Sequence, residues 1–393
     1  MWKYLIATLV IAAVVITGFS LVDVGGGNVS ANALIAAPEN DLSGYARAID
    51  AWDWQFPRDH GAHNDFQTEW WYYTGNLQTE SGRHFGFQFT IFRRAITPQF
   101  VSTDSEFRTN QIYMAHFTVS DIENQAFYHD ERYSRGGGGL AGALPDNAQP
   151  DATYNVFLED WSVSAANPEQ DAFRIMAESP RGFSMDLLLE QIKPPALQGE
   201  AGLSPKSEEP GNASYYYSLS RLLTEGTLTI DGTQFEVTGA TWMDHEFSTS
   251  ALGDTALGWD WFGLQFDDGR ELMVGKIRLT DGGKEPAFGG LLIDTDGSTR
   301  YLNAEDFTIA ATGEWTSPYT GAIYPSGWTI TLNAAALDTE ADLQFDVTPL
   351  QLDQELHSGD IAYWEGAVEL SGAVQGFGYA ELTGYVDAMT GRF

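Results

Sequence analysis

Glu69 stands directly before four aromatic rings, Trp70, Trp71, Tyr72 and Tyr73, in the stretch HNDFQTEWWYYTG. Rings at that density favour burial, whereas a carboxylate buried without a partner is costly. Such a group is either a structural acid tied to a cation or a general acid whose pKa burial has raised. A second stretch, GATWMDHEFSTSALGDTALGWDWFGLQFDDGREL, sets Asp244, His245 and Glu246 in a row and then Trp259, Asp260 and Trp261. In an extended chain neighbouring side chains point to opposite faces, so Trp242, Asp244 and Glu246 share one face and Met243, His245 and Phe247 the other. If the first face lines a pocket, two carboxylates repel each other and one pKa rises. If the second faces a barrel interior, His245 sits among apolar groups with its pKa depressed. A third cluster, NASYYYSLSRLLTEG, places Tyr215, Tyr216 and Tyr217 before Arg221, a cation suited to hold Glu69 or Asp244 as a purely architectural ion pair. The candidate catalytic residues are therefore Glu69, Asp244, His245 and Glu246. The candidate ligand contacts are Trp70, Trp71, Tyr72, Tyr217, Arg221, Trp242, Phe247, Trp259 and Trp261. Glu69 is expected to point inward, near Arg221 or near the Asp244–Glu246 stretch.

Other chemistries have less behind them. His60, His63 and Asp65 could join Asp244 and His245 around a metal, but His60-x-x-His63 suits neither one helix face nor a zinc signature. These histidines read as exposed loop residues, and no metal or other cofactor is expected. No G-x-S-x-G elbow supports a serine nucleophile, and nothing orients a base toward Ser218 or Ser248. Gly136–Gly139 lacks the strand-to-helix context of a phosphate loop. The chain has no cysteine, which excludes disulfides, thiolate metal sites and Cys nucleophiles.

The elements that must position these residues are strands. In RHFGFQFTIFR, Phe85, Phe87, Phe89 and Ile91 alternate with Gly86, Gln88 and Thr90, a period of two with one apolar face. Similar runs recur at residues 111–119, 172–177, 184–189, 226–230, 271–279, 327–332 and 362–370. Asp231-Gly232, Asp268-Gly269, Asp281-Gly282-Gly283 and Asp296-Gly297 punctuate them as turns. Residues 34–59 read as a linker with a short helix over 42–52, and residues 193–213, rich in Pro, Gly, Ser and Glu, as a long surface loop. The 41 glycines suit many short strands. The fold class is all-β, as barrels or sandwiches in two units.

With 393 residues, more than one core is expected. The formal net charge of -35 repels phosphate backbones and argues against nucleic acid as a partner. After Lys3, residues 4–22 (YLIATLVIAAVVITGFSLV) carry no charge, which is long for a signal-peptide core and about enough to cross a bilayer. Ala31-Asn32-Ala33 offers a cleavage site, so residues 1–33 are read as a signal peptide or an uncleaved anchor. Lys3 on one side and acidic sequence on the other place the body outside the cytoplasm, periplasmic or secreted.

Three motif pairs carry a family resemblance: TEWWYYTG with GFQFTIFRR, ATWMDHEFSTS with GWDWFGLQFDDGREL, and YWEGAVELSG with GYAELTGY. In this order they resemble the lipocalin-like family of AttH and CrtC, the latter a carotenoid 1,2-hydratase, over residues 60–385. The resemblance implies two consecutive lipocalin-like β domains, residues 60–246 and 247–388. It also implies a long apolar ligand of isoprenoid or carotenoid type, hydrated or isomerised by an acid that protonates a C=C bond in an apolar pocket. The hydratases' His-x-Trp reads His245-Glu246-Phe247 here, and Val274, Gly275, Lys276 and Ile277 occupy the region of their Tyr-x-Asp. These departures favour altered chemistry, or a non-catalytic lipophile binder such as an accessory to an envelope transport system. Hydrolysis of an ester has only a family label behind it.

Overall fold

The structure, a computed structural model, describes residues 42–99, 104–249, 252–357 and 362–389. The apolar run at residues 4–22 and the Ala31-Asn32-Ala33 site lie outside the described residues. Among those described, no helix is long and apolar enough to cross a membrane.

The first sheet comprises β1 (Thr68–Gln78), β2 (His84–Ala95), β3 (Gln111–Asp121), β4 (Ala126–Arg135), β5 (Ala141–Leu144), β6 (Asn155–Leu158), β7 (Trp161–Ala165), β8 (Ala172–Ser179), β9 (Phe183–Gln191), β10 (Ala196–Leu197), β11 (Leu203–Pro205), β12 (Ala213–Ile230) and β13 (Thr233–Ser248). Its order is β4-β3-β2-β1-β13-β12-β9-β8-β7-β6-β5, with β10 and β11 on the flank of β12. The second comprises β14 (Ala256–Phe266), β15 (Glu271–Leu279), β16 (Gly290–Ile293), β17 (Thr299–Leu302), β18 (Phe307–Ala311), β21 (Trp328–Leu332), β22 (Leu343–Pro349), β23 (Glu355–Leu356), β24 (Tyr363–Gly372) and β25 (Gly376–Leu382); a separate ribbon pairs β19 (Glu314–Thr316) with β20 (Ile323–Pro325). Its order is β17-β16-β15-β14-β25-β24-β22-β21-β18, with β23 on β24. Both sheets are antiparallel and curl into nearly closed barrels.

Alternation explains where the cores sit. Phe85, Phe87, Phe89 and Ile91 of β2 point into the first barrel with Trp71, Tyr73, Phe117 and Trp161, all fully buried. Phe262, Trp328, Ile330 and Trp364 fill the second in the same way. Both barrel interiors are therefore packed with side chains. The other face of β2 does not meet solvent: Gln88 and Thr90 are fully buried, because the outer faces of the two barrels pack on each other.

Two expectations need correction. Residues 42–52 form a turn and irregular chain rather than a helix. The Ala46 amide donates to the Asp65 carbonyl at 2.9 Å, and Trp52 packs on Phe66, Tyr215 and Phe247, contacts made from extended chain. Residues 193–213 are not simply a surface loop. They pair with β12 through β10 and β11, and bury Lys193, Gln198 and Ser204. Among the described residues, helix is limited to a 3-10 turn at Arg58–His60 and α1 (Ala334–Leu337).

Candidate functional site

The register of the central strands sorts the candidate residues onto two faces. On β1 and β13, Trp70 lies opposite Glu246, Trp71 opposite His245, and Tyr72 opposite Asp244. Side chains alternate along each strand. Trp70, Tyr72, Asp244 and Glu246 therefore face the second barrel, while Glu69, Trp71, His245 and Phe247 face the interior of the first.

The interior set forms a closed polar network. Glu69 is fully buried, with Oε2 2.9 Å from Arg93 Nε and Oε1 2.9 Å from His245 Nε2 and 2.8 Å from His63 Nδ1. The His63 amide donates to the same carboxylate. His63 Nε2 reaches Asp59 at 3.3 Å, and Tyr217 Oη bridges His245 at 3.2 Å and His60 at 2.6 Å. Burial pushes the Glu69 carboxyl up, but Arg93, His245 and His63 outweigh it and hold it well below the usual carboxylate range. Burial lowers His245 against the pull of Glu69, as expected for a histidine inside the barrel. Burial would lower His63 too, but Asp59 and Glu69 raise it.

Of the two neighbourhoods expected for Glu69, near Arg221 or near the Asp244–Glu246 stretch, it meets the stretch through His245, and its cation is Arg93 rather than Arg221. A bulge between Leu219 and Leu222 of β12 sends Arg221 to the other barrel, where its Nε lies 2.6 Å from Glu271 Oε1. His60 and His63 are buried rather than exposed on loops. By distance alone His63, Glu69 and His245 could converge on a metal ion. The donor set does not suit one: both Glu69 oxygens already accept hydrogen bonds, and a cation there would face the Arg93 guanidinium.

The outer faces enclose a cavity between the barrels. The first barrel lines it with Trp70, Tyr72, Phe92, Met114, His116, Lys206, Tyr216, Asp244, Glu246 and Ser248. The second contributes Trp259, Trp261, Ile277, Phe288, Tyr363, Glu381 and Thr383, and Leu252 and Met389 complete the wall. Of the expected ligand contacts, Trp70, Tyr72, Trp259 and Trp261 line it. Trp242 stands behind Asp244; Trp71, Tyr217 and Phe247 face the barrel interior, and Arg221 sits in the Glu271 ion pair. Of the expected catalytic residues, Asp244 and Glu246 line the cavity, and Glu69 and His245 do not.

Asp244 is held by three donors: Ser218 Oγ at 2.5 Å and Trp242 Nε1 at 2.7 Å to Oδ1, and Tyr216 Oη at 2.7 Å to Oδ2. Burial pushes its carboxyl up to about 7 against these hydrogen bonds, and the charge of Glu246 adds to the rise. Oδ1 is taken twice, which leaves Oδ2 the oxygen with room for a proton. Glu246 pairs with Lys206 Nζ at 2.6 Å. Opposite them, burial pushes Glu381 up to about 7; a hydrogen bond from Trp259 tempers this, and Asp244 and Glu246 add to it. Burial and Glu381 raise Glu365, the cross-strand neighbour of Glu381, well above its ordinary value. His116, held neutral by burial with its pKa near about 3, hydrogen-bonds Tyr363 Oη through Nδ1 at 2.7 Å. The cavity thus combines aromatic walls with two carboxyl groups, Asp244 and Glu381, whose pKa values burial raises into the neutral range.

Sequence reasoning missed Glu365, Glu381, Tyr363, His116 and Lys206. The alternation of Tyr363, Trp364 and Glu365 in YWEGAVELSG carried a signal, since in an extended strand it puts a tyrosine and a carboxyl on one face and a tryptophan on the other.

The profile of AttH-like proteins matches residues 47–385. The chain belongs to this AttH-like family. A protein assigned as AttH in Nitrosomonas europaea is 37% identical to it, with a TM-score of 0.75 over 87% of this chain and 99% of that one. Kievitone hydratase from Nectria haematococca, 16% identical, has the same fold, with a TM-score of 0.61 over 89% of this chain and 98% of that one. Among curated proteins none matches this AttH-like chain.

Proposed function

We propose that this AttH-like protein binds a long apolar ligand of isoprenoid type in the cavity between its barrels and adds water to it, or isomerises it, by acid catalysis. The observation that carries the reading is a buried carboxyl, Asp244, set inside an aromatic wall with its pKa pushed up to about 7, so that it can hold a proton and give it up near neutral pH. Asp244 passes its proton to one carbon of a C=C bond, whose π electrons form the new C–H bond. The cation left on the neighbouring carbon is stabilised by ring faces such as Trp70 and Trp261. Water then forms the C–O bond and returns its surplus proton to the carboxylate, so that alkene and water give an alcohol. That a protein of the same fold is a kievitone hydratase supports this class of chemistry.

A non-catalytic lipophile carrier, for instance an accessory to an envelope transport system, is the second reading. One observation favours it: His245 is turned into the first barrel and bound to Glu69, away from the cavity. Both readings have the body outside the cytoplasm, held by residues 4–22 or released after Ala33, and N-terminal sequencing of protein from a membrane-free fraction tests this. Mass spectrometry of lipids co-purified from native membranes tests the rest. Turnover of a recovered isoprenoid or polyene to its hydrate or isomer supports the enzyme, and recovery without turnover supports the carrier. Absence of any apolar ligand counts against both.

A further inference from the structure

Next to Tyr72 lies a set of buried polar atoms with no hydrogen-bond partner among the described residues: Tyr72 Oη, Gln88 Oε1, Thr118 Oγ1, Tyr379 Oη and both carboxyl oxygens of Glu365. The registers bring them together. Tyr72 lies across from Thr90, two residues along β2 from Gln88, and Gln88 lies across from Thr118 on β3. From the other barrel Glu365 is directly across from the cavity residue Glu381. Tyr379 Oη sits so close to β2 that a Cβ on Gly86 would stand 2.6 Å from it; it leans towards Ser120 without closing a hydrogen bond. Tyr72 and Tyr363 temper the raised pKa of Glu365 in the same incomplete way. Gln88 commits its amide nitrogen to Thr90 Oγ1 at 2.6 Å, leaving the carbonyl oxygen as a bare acceptor.

Buried polar groups are nearly always hydrogen-bonded, so this many orphans directly behind the cavity residues Tyr72 and Glu381 point to a polar group brought in from the cavity. The recess offers acceptors and donors together and, with Glu365 neutral, no fixed charge. An anion would lack a cation here, and a cation would have to displace the proton that burial and Glu381 hold on Glu365. A hydroxyl, donor and acceptor at once, fits.

We propose that this recess is a hydroxyl subsite of the interdomain cavity, and that the ligand is an amphipathic alcohol whose apolar body lies against Trp70, Phe92, Met114 and Trp259. The inference rests on the apolar-ligand reading of the cavity and names the polar end of that ligand. Water could fill the same positions, and the experiment separates the two. The full chain is titrated with farnesol and with the parent hydrocarbon farnesene, followed by tryptophan fluorescence. Farnesol should bind about tenfold more tightly or better, as expected for hydrogen bonds made to otherwise unpaired buried groups. In Glu365→Leu that advantage should fall to near parity while farnesene binding holds or improves. Gln88→Leu, which removes only the bare acceptor and its amide, should narrow the advantage in the same direction and serves if Glu365→Leu does not fold. Equal binding of the two ligands by the unaltered protein, or an advantage that survives the substitutions, overturns the subsite and leaves the recess to solvent with the apolar reading intact. Binding of neither ligand overturns both.

Discussion

Asp244 and Glu69 are both buried carboxyls in aromatic surroundings, one strand apart, and their neighbours shift their pKa values in opposite directions. Asp244 has three neutral donors and a like charge nearby, and its pKa rises to about 7. Glu69 has Arg93, and its pKa falls. Asp244→Asn keeps an acceptor for Ser218 and Trp242, so the fold should survive, while turnover of a bound alkene falls by about 10²–10⁴-fold, the usual share of a general acid. The same variant reports on stability. The native carboxyl holds its proton more tightly than an unfolded aspartate, so its contribution is fully present below about pH 4 and is lost as pH rises through about 7. Thermal melts should therefore show Asp244→Asn gaining on the unaltered protein between pH 5 and pH 8; parallel curves would mean that Asp244 ionises normally. Glu69→Gln should instead destabilise by about 3–5 kcal/mol, because it leaves the Arg93 guanidinium buried without its anion. Denaturant titration measures this, and a loss under about 1 kcal/mol would show that the network does not need the charge.

At the scale of elements, a strand alternation read from sequence has two faces, and only the packing says what each one meets. The division of Trp242, Asp244 and Glu246 from Met243, His245 and Phe247 was legible, because period two fixes it once the segment is extended. So were β2, β3 and β15, and the turns at Asp231-Gly232, Asp268-Gly269, Asp281-Gly282 and Asp296-Gly297. What lay beyond reach was long-range. The bulge that diverts Arg221 leaves no local signature, and the choice of Arg93 over Arg221 depends on β2 lying beside β1. Trp70-Trp71-Tyr72 and Tyr363-Trp364-Glu365 pack alike: each strand sends its central tryptophan into its own barrel and its flanking residues towards the gap between barrels. The bulge also supplies a test. Arg221 and Lys193 from the first barrel hold the buried Glu271 of the second as an ion triad, with Lys193 Nζ 2.8 Å and Arg221 Nε 2.6 Å from its carboxylate. Removing one partner of such a group strands the others. Glu271→Gln should cost about 3–5 kcal/mol, whereas breaking the exposed Arg174–Asp186 pair by Asp186→Asn should cost at most about 1 kcal/mol. Comparable losses in the two variants would remove the clamp from the account.

For the whole molecule, the arrangement of the barrels decides how it unfolds. Each barrel could in principle fold alone, since each has its own apolar interior. Their outer faces argue otherwise. Ile112, Met114, Tyr72, Trp242 and Tyr216 on one side and Trp261, Ile277, Ala367 and Tyr379 on the other are buried against the facing barrel or the cavity. Asn76 Nδ2 donates to the Gly378 carbonyl, and Gln265 Nε2 to the Ser220 and Thr241 carbonyls, all across the junction. Separation would expose this apolar surface and orphan those groups together with the Glu271 ion pair. The rest of the surface works against compaction, because a formal charge of -35 repels itself in every compact state. Raising salt screens that repulsion but leaves the desolvated junction almost untouched. Calorimetry should therefore give a single transition at low salt, with its midpoint moving upward as NaCl is raised from about 0.05 M to about 1 M and the peak remaining undivided. Two peaks that separate with salt would show that the barrels unfold independently, and the cavity between them would then be a contact of convenience rather than part of the native core.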